Sequence, residues 1–302
     1  MEESSLNDIL ELFRSGCSVR DVSRRTGYSR PTISTAVRKA GLKPTQRKYG
    51  VNASFFESID TAEKAYWLGF LLADGHISER IIEFDGGFKR IAKGMTVNLQ
   101  RGDEGHLEAF KNSLNYGGPV LRKNPIDKRT GKVCEQSILS ISSARLVKPL
   151  VERSWHEFKR NGDTSILESV QPNLVVDLMS GMFDGDGGFV ICRSGQALMY
   201  FVDMHLSVVT WFQDRLIEVF GFNRTKVFAN KKKRVFRVQY RGNVQVMRFL
   251  QSAYSRQPSL NRKMLKFESF ALARSSKAAS DILWRPRVEP APDQESSRSA
   301  KG

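Results

Sequence analysis

Two aspartate–glycine pairs are the residues best placed to do chemistry. The first closes the apolar run Trp67-Leu-Gly-Phe-Leu-Leu-Ala-Asp-Gly75, the second the run Met179-Ser-Gly-Met-Phe-Asp-Gly-Asp-Gly187, and the aligned aspartates Asp74 and Asp186 lie 112 residues apart. A motif repeated at that distance reads as an internal duplication of an α+β unit. In each run two small residues stand four apart, Gly69 with Ala73 and Gly181 with Gly185, so each helix has a face without bulky side chains. Such faces can pack backbone to backbone, where a leucine would push the axes to the ordinary 8 to 10 Å or so. Glycine inside a helix costs roughly 1 kcal/mol relative to alanine, so the pair in the second run points to a geometric requirement. Gly75 and Gly187 read as C-terminal glycine caps.

Parallel packing of the two helices would bring Asp74 and Asp186 together at their ends. Two negative charges sharing the negative ends of two helix dipoles repel, and a divalent cation removes the repulsion. Mg²⁺, with Mn²⁺ as a substitute, prefers carboxylate and water oxygens and commonly binds phosphate, so a scissile phosphodiester would complete the site. The other reading makes both aspartates ordinary helix-end residues of an inert repeat.

The rest of the composition fits a polyanionic partner. The chain has 302 residues, with 48 Lys and Arg against 32 Asp and Glu, a net charge of +16 and 40% hydrophobic residues. This is enough for two or three units with their own cores, and it excludes a disordered chain. Cys17, Cys134 and Cys192 are far apart and form no CxxC pair, which fits reducing cytosol. The acidic, polar N-terminus and the absence of any long apolar run predict a soluble, unexported protein that is cytoplasmic and DNA-associated, with no membrane partner.

Residues 1–42 read as a helix-turn-helix: helices over Leu6–Arg14, Ser18–Arg25 and Arg30–Ala40, with Ser18 and Ser29 as N-caps, Pro31 in a first turn and Gly41 as a stop. Val22, Ile33 and Val37 would form its core. Arg30, Thr32, Ser34, Thr35, Arg38 and Lys39 would face a DNA major groove. A three-helix bundle used for protein contacts is the alternative. Residues 43–54 read as a basic linker, 55–165 and 166–274 as the two repeats, and 275–302 as a disordered tail. Strands are expected near Ile81–Phe84, Met95–Leu99, Val120–Lys123 and Ser137–Ile141, and then near Phe189–Arg193, Met199–Leu206, Lys226–Ala229 and Val235–Tyr240. Helices are expected at His106–Leu114 and Val209–Val219.

The paired motifs resemble the LAGLIDADG homing endonuclease family in its single-chain, two-repeat form. The likeness covers roughly residues 55–273 and extends to the lead-in Ile59–Trp67 and the late run Leu260-Asn-Arg-Lys263. It implies an α+β fold of two pseudo-symmetric αββαββα repeats with β-saddles lying along DNA, here preceded by the small all-α helix-turn-helix domain. It also implies a monomer with an internal pseudo-twofold axis and intron homing by a metal-dependent double-strand break at a long site. The first motif departs from the pattern, with Leu72 where the second has Asp184. The resemblance places a basic residue beside the carboxylates at Lys263. Its first-repeat counterpart is Lys159 or Arg160, or else a solvated surface lysine. Asp103 and His205, at strand ends before matching helices, are weaker candidates, and His205 reads better as an isolated histidine.

For DNA readout, Val235–Arg241 alternates, with Phe236, Val238 and Tyr240 on one face and Arg237, Gln239 and Arg241 on the other. Arginine pairs with guanine and glutamine with adenine in a major groove. The neighbouring Lys231, Lys232 and Lys233 suit phosphates or a solvated loop. A catalytically inert DNA-binding regulator and an intron RNA maturase are the competing functions on the same fold.

Overall fold

The computed structural model describes residues 3–14, 17, 19–42, 49–83, 89–230, 232, 234–256 and 258–275. Most of the linker expectation, the cap at Ser18, the residues Lys231 and Lys233, and the tail from 276 onward lie outside the described residues.

The N-terminal helices are α1 (Glu3–Arg14), α2 (Val19–Thr26) and α3 (Arg30–Lys39). They enclose a core of their own made by Ile9, Leu10, Phe13, Val22, Ile33, Ala36 and Val37. Ser29 caps α3 by accepting the Thr32 N–H at 3.3 Å, and Pro31 sits in the first turn, where no backbone donor is missed. Gly41 follows at φ +74°, the left-handed conformation that ends a helix. Arg30, Thr32, Thr35, Arg38 and Lys39 are exposed on α3 and Ser34 is half-buried, so the polar face expected from sequence is free of the core.

The remaining chain follows one order of elements twice. The first pass runs α4 (Ala62–Asp74), β1 (Gly75–Glu83), β2 (Lys89–Gln100), α5 (Glu104–Ser113), β3 (Leu121–Lys123), β4 (Gln136–Ile141) and α6 (Ala144–Glu152), followed by α7 (Trp155–Asn161) and the single turn α8 (Ser165–Glu168). The second runs α9 (Val175–Asp186), β5 (Gly187–Ile191), β6 (Ala197–Asp203), α10 (Leu206–Phe220), β7 (Phe228–Asn230), β8 (Val235–Arg241), α11 (Asn243–Tyr254) and α12 (Asn261–Ser275). Each pass makes a four-stranded antiparallel sheet, ordered β1-β2-β4-β3 and β5-β6-β8-β7. This is the αββαββα pattern expected, with α7 and α12 as added helices behind each repeat. Both sheets cover α4 and α9 in one shared core. Among the described residues no helix is long and apolar enough to cross a membrane.

Three expectations are corrected. The first strand of each repeat begins at the glycine itself, so β1 starts at Gly75 and β5 at Gly187. Neither glycine is a left-handed cap: Gly75 has φ −80° and ψ 151°, Gly187 φ −92° and ψ 172°, ordinary extended values. Their smallness serves close approach, since a methyl on Gly75 would stand 2.6 Å from the Leu71 carbonyl oxygen and one on Gly187 would overlap the Phe183 ring. Finally, Leu206 belongs to α10 and not to the preceding strand, because β6 ends at Asp203, whose carboxylate accepts the His205 N–H and turns the chain into the helix.

Candidate functional site

The site is built by the contact of α4 with α9. A methyl on Gly69 would overlap the Leu178 carbonyl oxygen, one on Gly181 the Tyr66 carbonyl oxygen, and one on Gly185 the Ala73 methyl. The small-residue faces therefore meet, backbone against backbone, as their spacing predicted. The same glycines explain the position of the acids, for a methyl on Gly185 would also stand 3.2 Å from Asp74 Oδ2, across the junction from Asp186. Asp74 is exposed and Asp186 half-buried at the paired helix ends.

The electrostatics show the strain of that placement. Asp186 is pushed up to about 7 from 3.8, first by burial and then by the neighbouring charges of Asp74 and Asp203, against the pull of Lys159 and Lys263. Asp74 is raised too, by partial loss of hydration, while Lys263, Lys159 and Arg262 pull it down. Among the described residues neither carboxylate accepts a hydrogen bond from a protein donor. Free carboxylate oxygens facing one another suit a hard divalent cation. No group of three or more His, Cys, Asp and Glu residues able to hold a metal occurs among the described residues. Two carboxylates could fill only part of a divalent cation's coordination sphere and would leave positions for water and phosphate.

Two lysines stand behind the acids, one per repeat. Lys159 Nζ, on α7, donates to the carbonyls of Leu72 (2.6 Å) and Ala73 (3.0 Å) at the end of α4. Lys263 Nζ, on α12, donates to Phe183 (2.7 Å), Asp184 (2.8 Å) and Gly187 (2.6 Å) at the end of α9. Each supplies a positive charge to a helix C-terminus whose carbonyls lack intrahelical partners. The sequence left Lys159 open against Arg160; the structure places Lys159 at the site and Arg160 exposed. Burial lowers the pKa of both lysines, that of Lys263 to about 8, and the adjacent aspartates oppose the shift.

The weaker candidates lie where the repeats cross. Asp103, at the start of α5, is buried and held by Arg262 Nε (2.9 and 3.1 Å to its two oxygens) and by Gln100. His205, at the start of α10, sets a ring nitrogen 3.4 Å from the Lys159 carbonyl oxygen. Each lysine thus binds its own repeat's α4 or α9, while the segment that carries it also touches the start of the other repeat's α5 or α10. Sequence reasoning missed Arg262, Asp203 and the two tyrosines that bind Asp184, Tyr66 and Tyr254. Arg262 was the findable one, being adjacent to Lys263. The tyrosine contacts span 118 and 70 residues and leave no local pattern.

On the second sheet, Val238 and Tyr240 are buried, whereas Arg241 is exposed and Arg237 and Gln239 are half-buried on the opposite face. The Arg237 guanidinium lies 4.5 Å from the centroid of the Tyr200 ring, which holds its long side chain in one orientation. Lys232 is exposed in the loop before β8. The equivalent face of the first sheet carries His76, Thr96 and Ser140, aligned across three strands, with the two hydroxyls 3.2 Å apart.

No protein-family profile matches the sequence, and no curated protein matches it. Solved structures do. The I-LtrWI LAGLIDADG homing endonuclease bound to target DNA matches with a TM-score of 0.50 and 12% identity over 76% of this chain and 93% of that one. The LAGLIDADG meganuclease I-AabMI, bound to uncleaved DNA, matches with a TM-score of 0.45 and 17% identity over 71% and 91%. At such identity the likeness speaks for the fold alone. It agrees with the twice-repeated element order, the matched sheets and the glycine-lined helix pair, and the architecture is the two-repeat LAGLIDADG fold.

Proposed function

We propose that the chain is a sequence-specific endonuclease that makes a metal-dependent double-strand break at a long DNA site, with Asp74 and Asp186 as its catalytic carboxylates. The observation that supports this reading most is the convergence on a helix junction of two carboxylates without hydrogen-bond donors among the described residues, each with a lysine behind it. A non-cleaving DNA clamp has no use for a placement that raises Asp186 to about 7. Backbone glycines that force the acids together would be a liability there.

Asp74 and Asp186 would hold Mg²⁺, or Mn²⁺ in its place, and such an ion supplies an activated water and offsets charge on the scissile phosphate. The chain's own residues do the rest. Lys159 and Lys263, fixed on carbonyls, keep positive charge beside the carboxylates and attract the phosphate without needing to move. Arg237, Gln239 and Arg241 read base edges from the second sheet, Lys232 meets phosphate, and α3 extends the recognised sequence through Arg30, Thr32, Ser34, Thr35, Arg38 and Lys39. The net charge of +16 provides the long-range attraction to duplex DNA. One copy of the chain carries both repeats, so a monomer suffices.

Incubation of the full chain with a randomised duplex library and Mg²⁺, followed by sequencing of the cut ends, tests the proposal. Recovered ends sharing one long motif, and none with EDTA, are the expected outcome. Retention of a long motif without cut ends in any divalent cation would replace the nuclease by the binding regulator.

A further inference from the structure

Asp184 is the buried acid that the cleavage chemistry leaves unused. It occupies the position that Leu72 fills in the first repeat, and it is only 2% exposed. An unpartnered carboxylate there would be strongly destabilising, and the surrounding donors show what it is for. Its Oδ2 accepts the Tyr66 hydroxyl at 2.6 Å and the Leu260 backbone N–H at 2.7 Å, and its Oδ1 accepts the Tyr254 hydroxyl at 3.0 Å. Tyr66 lies on α4 and Tyr254 ends α11, so the carboxylate ties three separate segments together.

The bond to Leu260 has the most specific consequence. Leu260 immediately precedes α12, and its carbonyl accepts the N–H groups of Lys263 (2.9 Å) and Met264 (3.0 Å), closing the first turn of that helix. A carboxylate at the helix start satisfies an orphan donor and suits the dipole. That first turn carries Arg262, bound to Asp103 of the other repeat, and Lys263, bound to the carbonyls of Phe183, Asp184 and Gly187. Asp184 therefore holds the turn with its carboxylate and receives Lys263 on its own backbone oxygen. The first repeat has no counterpart: Leu72 offers Lys159 a carbonyl, and its side chain binds no donor.

We propose that Asp184 is a positioning residue for the second repeat's half of the site: it anchors the first turn of α12 and so fixes the Lys263 ammonium beside Asp186. This rests on the endonuclease reading. It acts on the chemical step and not on DNA binding, because neither Asp184 nor Leu260 is on a sheet face or on α3.

The test uses the full chain, wild type and three variants. Asp184→Asn keeps the shape but cannot accept all three donors. Leu260→Pro removes the backbone donor, along with part of a buried side chain, and leaves both tyrosine contacts. Tyr66→Phe removes a tyrosine donor and leaves the Leu260 bond. Amide hydrogen exchange is measured over α9 and α12 without DNA. Single-turnover cleavage at saturating DNA is measured beside the Kd, on a duplex recovered from the library. For Asp184→Asn and Leu260→Pro the expected result is at least about 10-fold faster exchange at the start of α12 with α9 unchanged. Cleavage should fall at least about 10-fold, with nicked DNA accumulating and Kd within about 3-fold. Tyr66→Phe should leave both the α12 exchange and the cleavage rate within about 3-fold. Unchanged exchange at α12 in the first two variants, or a rate that falls only in step with affinity, overturns the proposal. A wild-type chain that cuts no duplex overturns the nuclease reading and with it the catalytic role of Asp184, whereas the exchange measurement decides the anchoring independently.

Discussion

The two repeats share a backbone plan and differ in how they hold their half of the site. In the first, Lys159 is half-buried, makes two carbonyl contacts and sits behind an apolar Leu72. In the second, Lys263 is 6% exposed, makes three carbonyl contacts and belongs to a helix turn pinned by Asp184 and by the Arg262–Asp103 pair. The cross-repeat contacts differ as well. Arg262 neutralises Asp103, whereas among the described residues Asp203 is met by the backbone N–H groups of His205 and Met204 and, less directly, by the His205 ring and Lys159. A duplicated fold can thus keep its symmetry in backbone and lose it in charge. The carboxylate pair is common to both repeats, while the residues that hold each lysine differ between them.

The comparison can be broken in four ways. The largest effect belongs to the shared pair. Asp74→Asn and Asp186→Asn should each reduce double-strand cleavage by about 10³-fold or more with DNA affinity nearly intact, because on the proposed reading both acids would hold the cation. Cutting at the normal rate by either variant would remove that acid from the chemistry. The lysines come next and should be unequal. Removing a fixed charge donor typically costs about 10²-fold, so Lys263→Met is expected near that value, while Lys159→Met loses about 10-fold; equal losses in strand-resolved kinetics would mean that the asymmetry has no functional weight.

Gly69→Ala and Gly181→Ala should behave alike. Helix propensity alone would favour alanine by roughly 1 kcal/mol. The overlap with a backbone carbonyl opposes it and should leave a net loss of about 3 kcal/mol in denaturant unfolding. A stabilised variant would show that the helices can move apart. The smallest effect is electrostatic and falls mainly on the second repeat. The unfolded Asp186 carboxyl ionises near 3.8 and the folded one near 7, so without a divalent cation stability falls as pH rises through that window and levels off above it. Asp186→Asn should then melt several degrees above wild type at pH 8 and equal to it near pH 4, with Mg²⁺ closing the gap at pH 8. Asp74→Asn should show the same sign to a lesser degree.

The legible part of this protein was the part written in local patterns. Small residues four apart and a terminal Asp-Gly gave the helix junction, and alternation gave the two faces of β8. Ser29, Pro31 and Gly41 marked the ends of α3 for reasons of backbone chemistry alone. What escaped was set by distant backbone. Lys159 is defined by the carbonyls of Leu72 and Ala73, and no side-chain pattern near it encodes those partners. In the sequence Asp184 is only the acid that Leu72 replaces in the first motif, because its significance lies in Leu260, 76 residues onward. The glycine ends were read as caps because a cap is the commonest reason for glycine there. The actual reason, close approach to the Leu71 carbonyl and the Phe183 ring, depends on the strand that follows each helix without a turn.

That absence of a turn has a mechanical consequence. Asp74 is the last residue of α4 and Gly75 the first of β1, and Asp186 and Gly187 repeat the arrangement. No loop lies between the carboxylate at each helix end and the first residue of the strand. On the nuclease reading, the distance from the recognised sequence to the cut is set by a continuous backbone, like a ruler whose zero mark is the blade.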